Sequence, residues 1–293
     1  MVGEKGFRKF LWVSVFLLPS FAGVLLFSIY PILDSLRLTL FEWDLLSPAR
    51  YIGLDNFQKM ASDANFHAAI LHTFAYLVGY IPTVLALGLG LALILNTRLR
   101  GKVFFRAAYF LPVVSPWVAV ALLWRWIFNS NFGLMNYFLQ FIGIHGPAWL
   151  SDPVWAMPAI IITSVWKDIG FVMVLFLAGL QNISEEYYEA ASLDGANAWQ
   201  RFRHISLPLL SPTTFFITTI LLINSFQVFD QVWVMTGGGP AGATSVIVQQ
   251  IVRNAFDFSR MGYAATLSWF LFAIIFAVTL LQMKIQNRWV TYD

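Results

Sequence analysis

Lys167 and Asp168 stand near the middle of an otherwise apolar run, 156–180, where ionisable side chains are costly to hold. Ser164, Lys167, Asp168 and Phe171 recur at i, i+3, i+4 and i+7, which is one face of a helix. A second polar stripe, Asn224, Gln227, Asp230 and Gln231 with Ser225 beside it, interrupts the apolar run 212–234. Thr73, Tyr76, Tyr80 and Thr83 form a weaker third stripe. Such faces bind a polar solute or hydrogen-bond a neighbouring helix, and the tyrosines fit the second role better. Catalysis is the poorer alternative, because membrane enzymes cluster His, Asp, Glu or Cys at depth. Here there is one Lys–Asp pair, and adjacent helical residues point in different directions. The chain has no cysteine, which excludes thiolate metal sites, disulfides and cysteine nucleophiles. His67, His72, His145 and His204 show no metal-ligand spacing, so neither a catalytic residue nor a metal site is expected.

Helices must position these stripes, and the composition says in what solvent. Hydrophobic residues make up 59% of 293 and charged residues only 11%, against about 25% in soluble domains. Six segments reach the roughly 20 apolar residues that span a bilayer: 10–31, 72–95, 106–127, 156–180, 212–234 and 263–283. The first is too long for a signal peptide and lacks a clean cleavage site, so it reads as a retained span. Pro82, Pro112 and Pro116 lie inside spans, where they act as static kinks or, alternatively, as hinges or pathway lining. The connection 32–71 has turn chemistry around Gly53 and enough apolar residues to be ordered. The connection 129–153 reads as loop with a short helix.

Lys and Arg orient the spans. Eleven fall on one side: Lys5, Arg8 and Lys9; Arg98, Arg100, Lys102 and Arg106; Arg201 and Arg203; Lys284 and Arg288. Six are spread over the longer connections of the other side: Arg37, Arg50, Lys59, Arg125, Arg253 and Arg260. Both termini and the connection 184–208 are therefore expected in the cytoplasm. Trp124, Trp126, Trp149 and Trp155 are placed for an outer interfacial belt.

That fourth connection is unusually structured. Ser184 is an N-cap, and Glu185 and Glu186 complement the first-turn dipole. A helix follows to Leu193. Asp194-Gly195 is a turn with Gly195 free to take positive φ, Asn197 or Ala196 restarts a helix, Pro208 breaks it and Pro212 opens the fifth span. Ala190, Ala191, Gly195 and Ala196 make a smooth surface for close approach, and Glu189 and Asp194 offer carboxylates that an arginine could grip. A merely solvated loop is the alternative.

The stretch Glu189-Ala190-Ala191-x-x-Asp194-Gly195-Ala196, then Phe202-x-x-Ile205-x-Leu207-Pro208-x-x-x-Pro212, resembles the "EAA" loop of permease subunits of binding-protein-dependent ABC importers. Phe229-Asp230 and Thr236-Gly237-Gly238-Gly239-Pro240 resemble the carbohydrate branch, the maltose- and glycerol-3-phosphate-type permeases. The likeness covers about residues 67–283. It implies an all-α membrane protein of six transmembrane helices with the type I importer fold. Its parts would be residues 1–67 (N-terminus, first helix and outer connection), 68–284 (the permease domain) and a cytoplasmic tail, 285–293. It implies a multi-pass protein of the cytoplasmic membrane that moves a sugar or sugar-like solute by alternating access, with a non-sugar solute as the alternative. The implied partners are a second permease subunit, two ATPase subunits that bind ATP and Mg, and an extracytoplasmic solute-binding protein. Glu189 would pair with an ATPase arginine, Gly195 would form the turn of the coupling helices, and the spans flanking the loop would carry the pathway. A phosphate-cradling G-x-x-x-x-G-K-[ST] is absent; the nearest approach, 237–242 followed by Ala243-Thr244, lacks the lysine. ATP hydrolysis is therefore assigned to a partner, and no cofactor to this chain.

Overall fold

The computed structural model describes residues 6–97, 100–286 and 290. Lys5, Arg98 and Arg288, the side chains of Arg8 and Lys9, and most of 285–293 lie outside the described residues.

The chain is helical almost throughout. Helix α1 (Phe7–Val24) runs through a π turn, Leu25–Ile29, into α2 (Tyr30–Leu38). Short strands β1 (Phe41–Glu42) and β2 (Arg50–Tyr51) form an antiparallel hairpin before α3 (Asp55–Ser62). Then come α4 (Ala64–Leu95), α5 (Lys102–Val114), α6 (Trp117–Ile127), α7 (Leu134–Phe141) and α8 (Ala156–Gln181). The fourth connection supplies α9 (Glu185–Leu193), α10 (Ala198–Arg201), a π turn (Phe202–Ser206) and α11 (Leu207–Leu209). The chain finishes with α12 (Ser211–Phe226), α13 (Asp230–Met235), α14 (Ile247–Val252), a third π turn (Arg253–Asp257) and α15 (Met261–Gln286).

Among the described residues four helices are long and apolar enough to cross a bilayer unaided: Phe10–Leu38, Ala64–Leu95, Ala156–Gln181 and Met261–Gln286. Two bent pairs bring the number to the six expected. Lys102–Val114 and Trp117–Ile127 meet at 101°, and Ala198–Leu209 and Ser211–Phe226 at 62°. The first bend follows from proline chemistry: Ser115, preceding Pro116, is pushed out of the helical region to ψ 139. The third segment is thus two helices, where a kinked single helix had been one of the expectations.

The fifth segment also departs from its expected bounds. Pro208 does not end the preceding helix, which continues to Leu209. The π turn just before it widens the coil by one residue, which accommodates the proline ring. At the other end the helix stops at Phe226, not at residue 234, and α13 starts afresh at Asp230.

The chain divides into two compact units. One comprises Met1–Asp63 and Ile251–Phe270. In it the buried Asn56 donates to the Thr39 and Phe41 carbonyls at 2.9 and 3.0 Å, holding the hairpin to α3. Gly262 lets the Phe41 carbonyl lie against the start of α15, where a β-carbon would collide with it. Tyr263 donates to Asp63 at 2.7 Å, and Trp269 to Ser35 at 3.1 Å. A cavity of about 480 Å³ opens between the hairpin and residues 259–263, with Arg50, Lys59 and Arg260 in its wall. The α1–α2 rod exposes apolar side chains all round, including Phe16 at 75% and Phe27 at 82%, as a lipid-facing or partner-facing helix does.

The other unit comprises Ala64–Gln250 and Leu271–Asp293. Its core is α8 packed along α4, with Ala69, Val84, Ile160, Val172 and Phe176 all buried. Small residues set the spacing, as they do where membrane helices approach closely. A β-carbon on Gly170 would strike the Tyr109 carbonyl of α5, and one on Gly88 would strike Val172. The tryptophans do not all form a belt. Trp124 and Trp149 are buried in an aromatic cluster with Phe128, at centroid distances of 5.1 and 5.2 Å, while Trp126 and Trp155 remain exposed.

Candidate functional site

Two features of the larger unit hold the residues singled out in the sequence. The first is a cavity of about 510 Å³ where α4, α6, α8 and the α12–α13 break converge. Tyr76 and Tyr80, one turn apart on α4, stack at 5.2 Å and 12°. Tyr80 donates to Asp168 Oδ2 at 2.7 Å. Gln231 donates to the Tyr76 hydroxyl at 3.3 Å and to Ser164 Oγ at 3.5 Å. Trp117, Phe171 and Phe229 add aromatic faces. Amides, hydroxyls, carboxylates and ring faces around one space suit a polyhydroxylated solute, whose O–H groups and C–H faces need both.

The break at 227–229 puts most of the fifth-span residues there. Once α12 ends, Gln227 and Phe229 leave helical geometry, and Asp230 opens α13 in the first turn, where an acid suits the dipole. Asn224, Gln227 and Asp230 are exposed to the cavity. Ser225 is 2% exposed, lines the cavity, and its hydroxyl has no hydrogen-bond partner. A buried unpaired hydroxyl costs about 1–3 kcal/mol.

Of the residues expected in a pathway, Asp168, Phe171, Asn224, Ser225 and Gln227 line this cavity. Lys167 and Ser164 do not. Lys167 is 5% exposed; its Nζ donates to the Val113 carbonyl at 3.0 Å and sits 4.8 Å from the Trp117 ring centroid. The 115–116 break leaves the last carbonyls of α5 without helical donors, and a cation at a helix C-terminus satisfies both the orphan oxygen and the dipole. Lys167 therefore clamps the broken third span. Ser164 is fully buried one layer behind Gln231, its hydroxyl donating to the Ile160 carbonyl. Tyr76 and Tyr80, read from sequence as packing residues, are in the cavity wall. Their i, i+4 spacing was the available signal.

The second feature is the loop after α8. Ser184 accepts from the Glu186 amide, as its N-cap position requires. The C-terminus of α9 is a Schellman motif: Gly195 has φ 80, its N–H reaches the Ser192 carbonyl at 3.1 Å, and the Ala196 N–H reaches the Ala191 carbonyl at 2.9 Å. Asn197 and Gln200 then form a reciprocal capping box at 2.8 and 2.9 Å. Tyr188 and Ser206 share a hydrogen bond of 3.0 Å, and Arg201 donates to Ser192 at 2.9 Å, tying the two arms together.

Glu189, Ala190, Asp194 and Gly195 are exposed, while Ala191 and Ala196 are half-buried at the turn. Glu189 has no ion-pair partner among the described residues. Sequence reasoning missed the apolar part of this surface: Leu193 is 90% exposed, Trp199 65% and Tyr187 49%. A shallow hollow of about 350 Å³ between the arms is walled by Asp194, Gly195, Arg201 and His204.

Residues 84–291 match the family described as binding-protein-dependent transport system inner membrane component. The chain is 37% identical to the probable ABC transporter permease protein YesP of Bacillus subtilis, covering 95% of this chain and 91% of that one. It is 34% identical to the trehalose/maltose transport system permease protein MalF of Thermococcus litoralis, with 92% and 91% covered. It is 36% identical to the lactose transport system permease protein LacF of Rhizobium radiobacter, again with 92% and 91% covered. The crystal structure of a bacterial ABC transporter that imports the acidic polysaccharide alginate contains a chain with the same fold. Its TM-score is 0.83 at 24% identity, over 96% of each chain. The chain belongs to the binding-protein-dependent inner-membrane transport components. It is a multi-pass permease subunit of an ABC importer, and not an enzyme.

Proposed function

We propose that this permease conducts a sugar or sugar-like solute through the cavity beside Asp168, driven by an ATPase docked on the loop 184–208. One observation carries the proposal: the two helices that flank the capped loop, α8 and α12, both contribute to the cavity wall. Helix α8 carries Asp168 and Phe171 and leads to α9; the loop's second arm leads into α12, which carries Asn224 and Ser225. Close packing at Gly179, where a β-carbon would meet Leu210 and Thr213, keeps the two arms in step. A push on the loop is thereby delivered to the solute-contacting residues.

The loop's surface supports the docking role. A protein partner covers the exposed Leu193 and Trp199, and an arginine of that partner pairs with Glu189. Ala190, Ala191 and Ala196 keep the contact smooth, with Asp194 and Gly195 at the turn. In this scheme two ATPase subunits bind ATP and Mg. A second permease closes the other side of the pathway, an extracytoplasmic binding protein delivers the solute, and both termini are cytoplasmic. The sugar names of several relatives and the mixed amide, hydroxyl and aromatic lining both support a carbohydrate.

The test uses the assembled transporter. Glu189→Ala should leave expression and membrane insertion unchanged while solute uptake and binding-protein-stimulated ATPase activity fall together by about tenfold or more. Unchanged uptake in that variant ends the coupling role of Glu189.

A further inference from the structure

We infer that this cavity selects cargo by charge: it accepts uncharged and amino-bearing sugars and turns away acidic ones. The inference rests on the sugar reading above and adds the charge class of the substrate. Two charged side chains line the cavity, Asp168 and Asp230, and both are acidic. A nearby cation, Lys167, turns its ammonium to the Val113 carbonyl and the Trp117 ring. It is buried and is not among the residues that line the space a solute would fill.

The hydrogen-bonding chemistry has the same bias. Asp168 Oδ2 accepts a hydrogen bond from the Tyr80 hydroxyl, which leaves its other oxygen as an acceptor. Asp230 is exposed to the cavity at the start of α13, and no salt bridge to it occurs among the described residues. Carboxylates accept and never donate when ionised, so they bind sugar hydroxyls or an ammonium. A uronate, sulfonate or phosphate ester brings a further negative charge beside these acids, and among the described lining residues no arginine or lysine meets it. Like charges in a partly desolvated cavity repel strongly.

The test is direct binding to the whole transporter in lipid nanodiscs without the binding protein, so that the delivery step does not choose the cargo. Saturation-transfer NMR would compare maltose, the disaccharide of glucosamine and digalacturonate at neutral pH and low salt. Digalacturonate should bind at least about tenfold more weakly than maltose, with the gap closing at high salt. Asp230→Asn should narrow the gap severalfold while the variant still copurifies with its ATPase. Asp168→Asn, which keeps an acceptor for Tyr80, serves as a second variant. Digalacturonate binding within twofold of maltose, or a gap that neither variant changes, overturns the inference and leaves the sugar reading intact. Silence from all three sugars ends both.

Discussion

The loop at 184–208 and the cavity beside Asp168 share two helices, yet they are held in opposite ways. The loop is built from neighbours: its cap, Schellman turn and capping box all join residues no more than five apart. Its outer face is exposed and apolar at Leu193 and Trp199. The cavity is built from distant residues, with Tyr80 and Asp168 88 positions apart and Tyr76 and Gln231 155 apart. A locally determined loop keeps its shape while it is pushed and released. A cavity assembled from four separate elements changes shape when any one of them moves. That division of rigidity suits a part that receives force and a part that responds to it.

Substitutions in the two regions should therefore fail differently. The largest effect is expected at Leu193→Asp. A charge placed in the docking surface should weaken ATPase copurification by about 3 kcal/mol, on the order of a hundredfold, with the permease itself intact. Retained copurification would show that the exposed apolar face is covered by lipid instead. Next is Gly170→Val, which drives a side chain into the Tyr109 backbone. It should cost about 2–3 kcal/mol of stability, seen as a lower melting temperature in detergent and loss of uptake.

Tyr80→Phe removes the donor to Asp168. It should cost about 2 kcal/mol in transport, seen as a raised half-saturating solute concentration with ATPase docking untouched. The smallest effect belongs to Gly195→Ala, where a residue at φ 80 gains a β-carbon but meets open space. About 1 kcal/mol of local strain should lower coupling efficiency only a few fold. If Tyr80→Phe impaired docking, or Gly195→Ala altered solute affinity, the proposed separation of roles would fail.

The contrast also explains what could be read from the sequence. Ser184, Gly195 and Asn197 were legible because capping and turn chemistry act over a few residues. The polar stripes of the fourth and fifth segments were legible as stripes, and seven of their residues, Asp168, Phe171, Asn224, Ser225, Gln227, Asp230 and Gln231, line one cavity. Lys167 was misplaced because helical phase fixes a face, whereas the long side chain goes to whichever acceptor the fold provides. That acceptor, the Val113 carbonyl, lies 54 residues away at a break whose angle no local signal sets. Tyr76 and Tyr80 were undervalued for the converse reason: packing and lining look alike until the opposite wall is known.

The sequence by itself determined the solvent, the six apolar segments and the capped loop at 184–208. Each depends on composition or on neighbours within a turn or two, where propensity and hydrogen-bond geometry decide. Only the tertiary structure decided that the third segment bends through 101°, that Lys167 is held at that bend by the Val113 carbonyl, and that Asp168 and Asp230 line one cavity with no cation among its described lining residues. Those facts come from close approach at Gly88 and Gly170 and from side chains meeting across long stretches of chain. Sequence spacing does not encode such meetings.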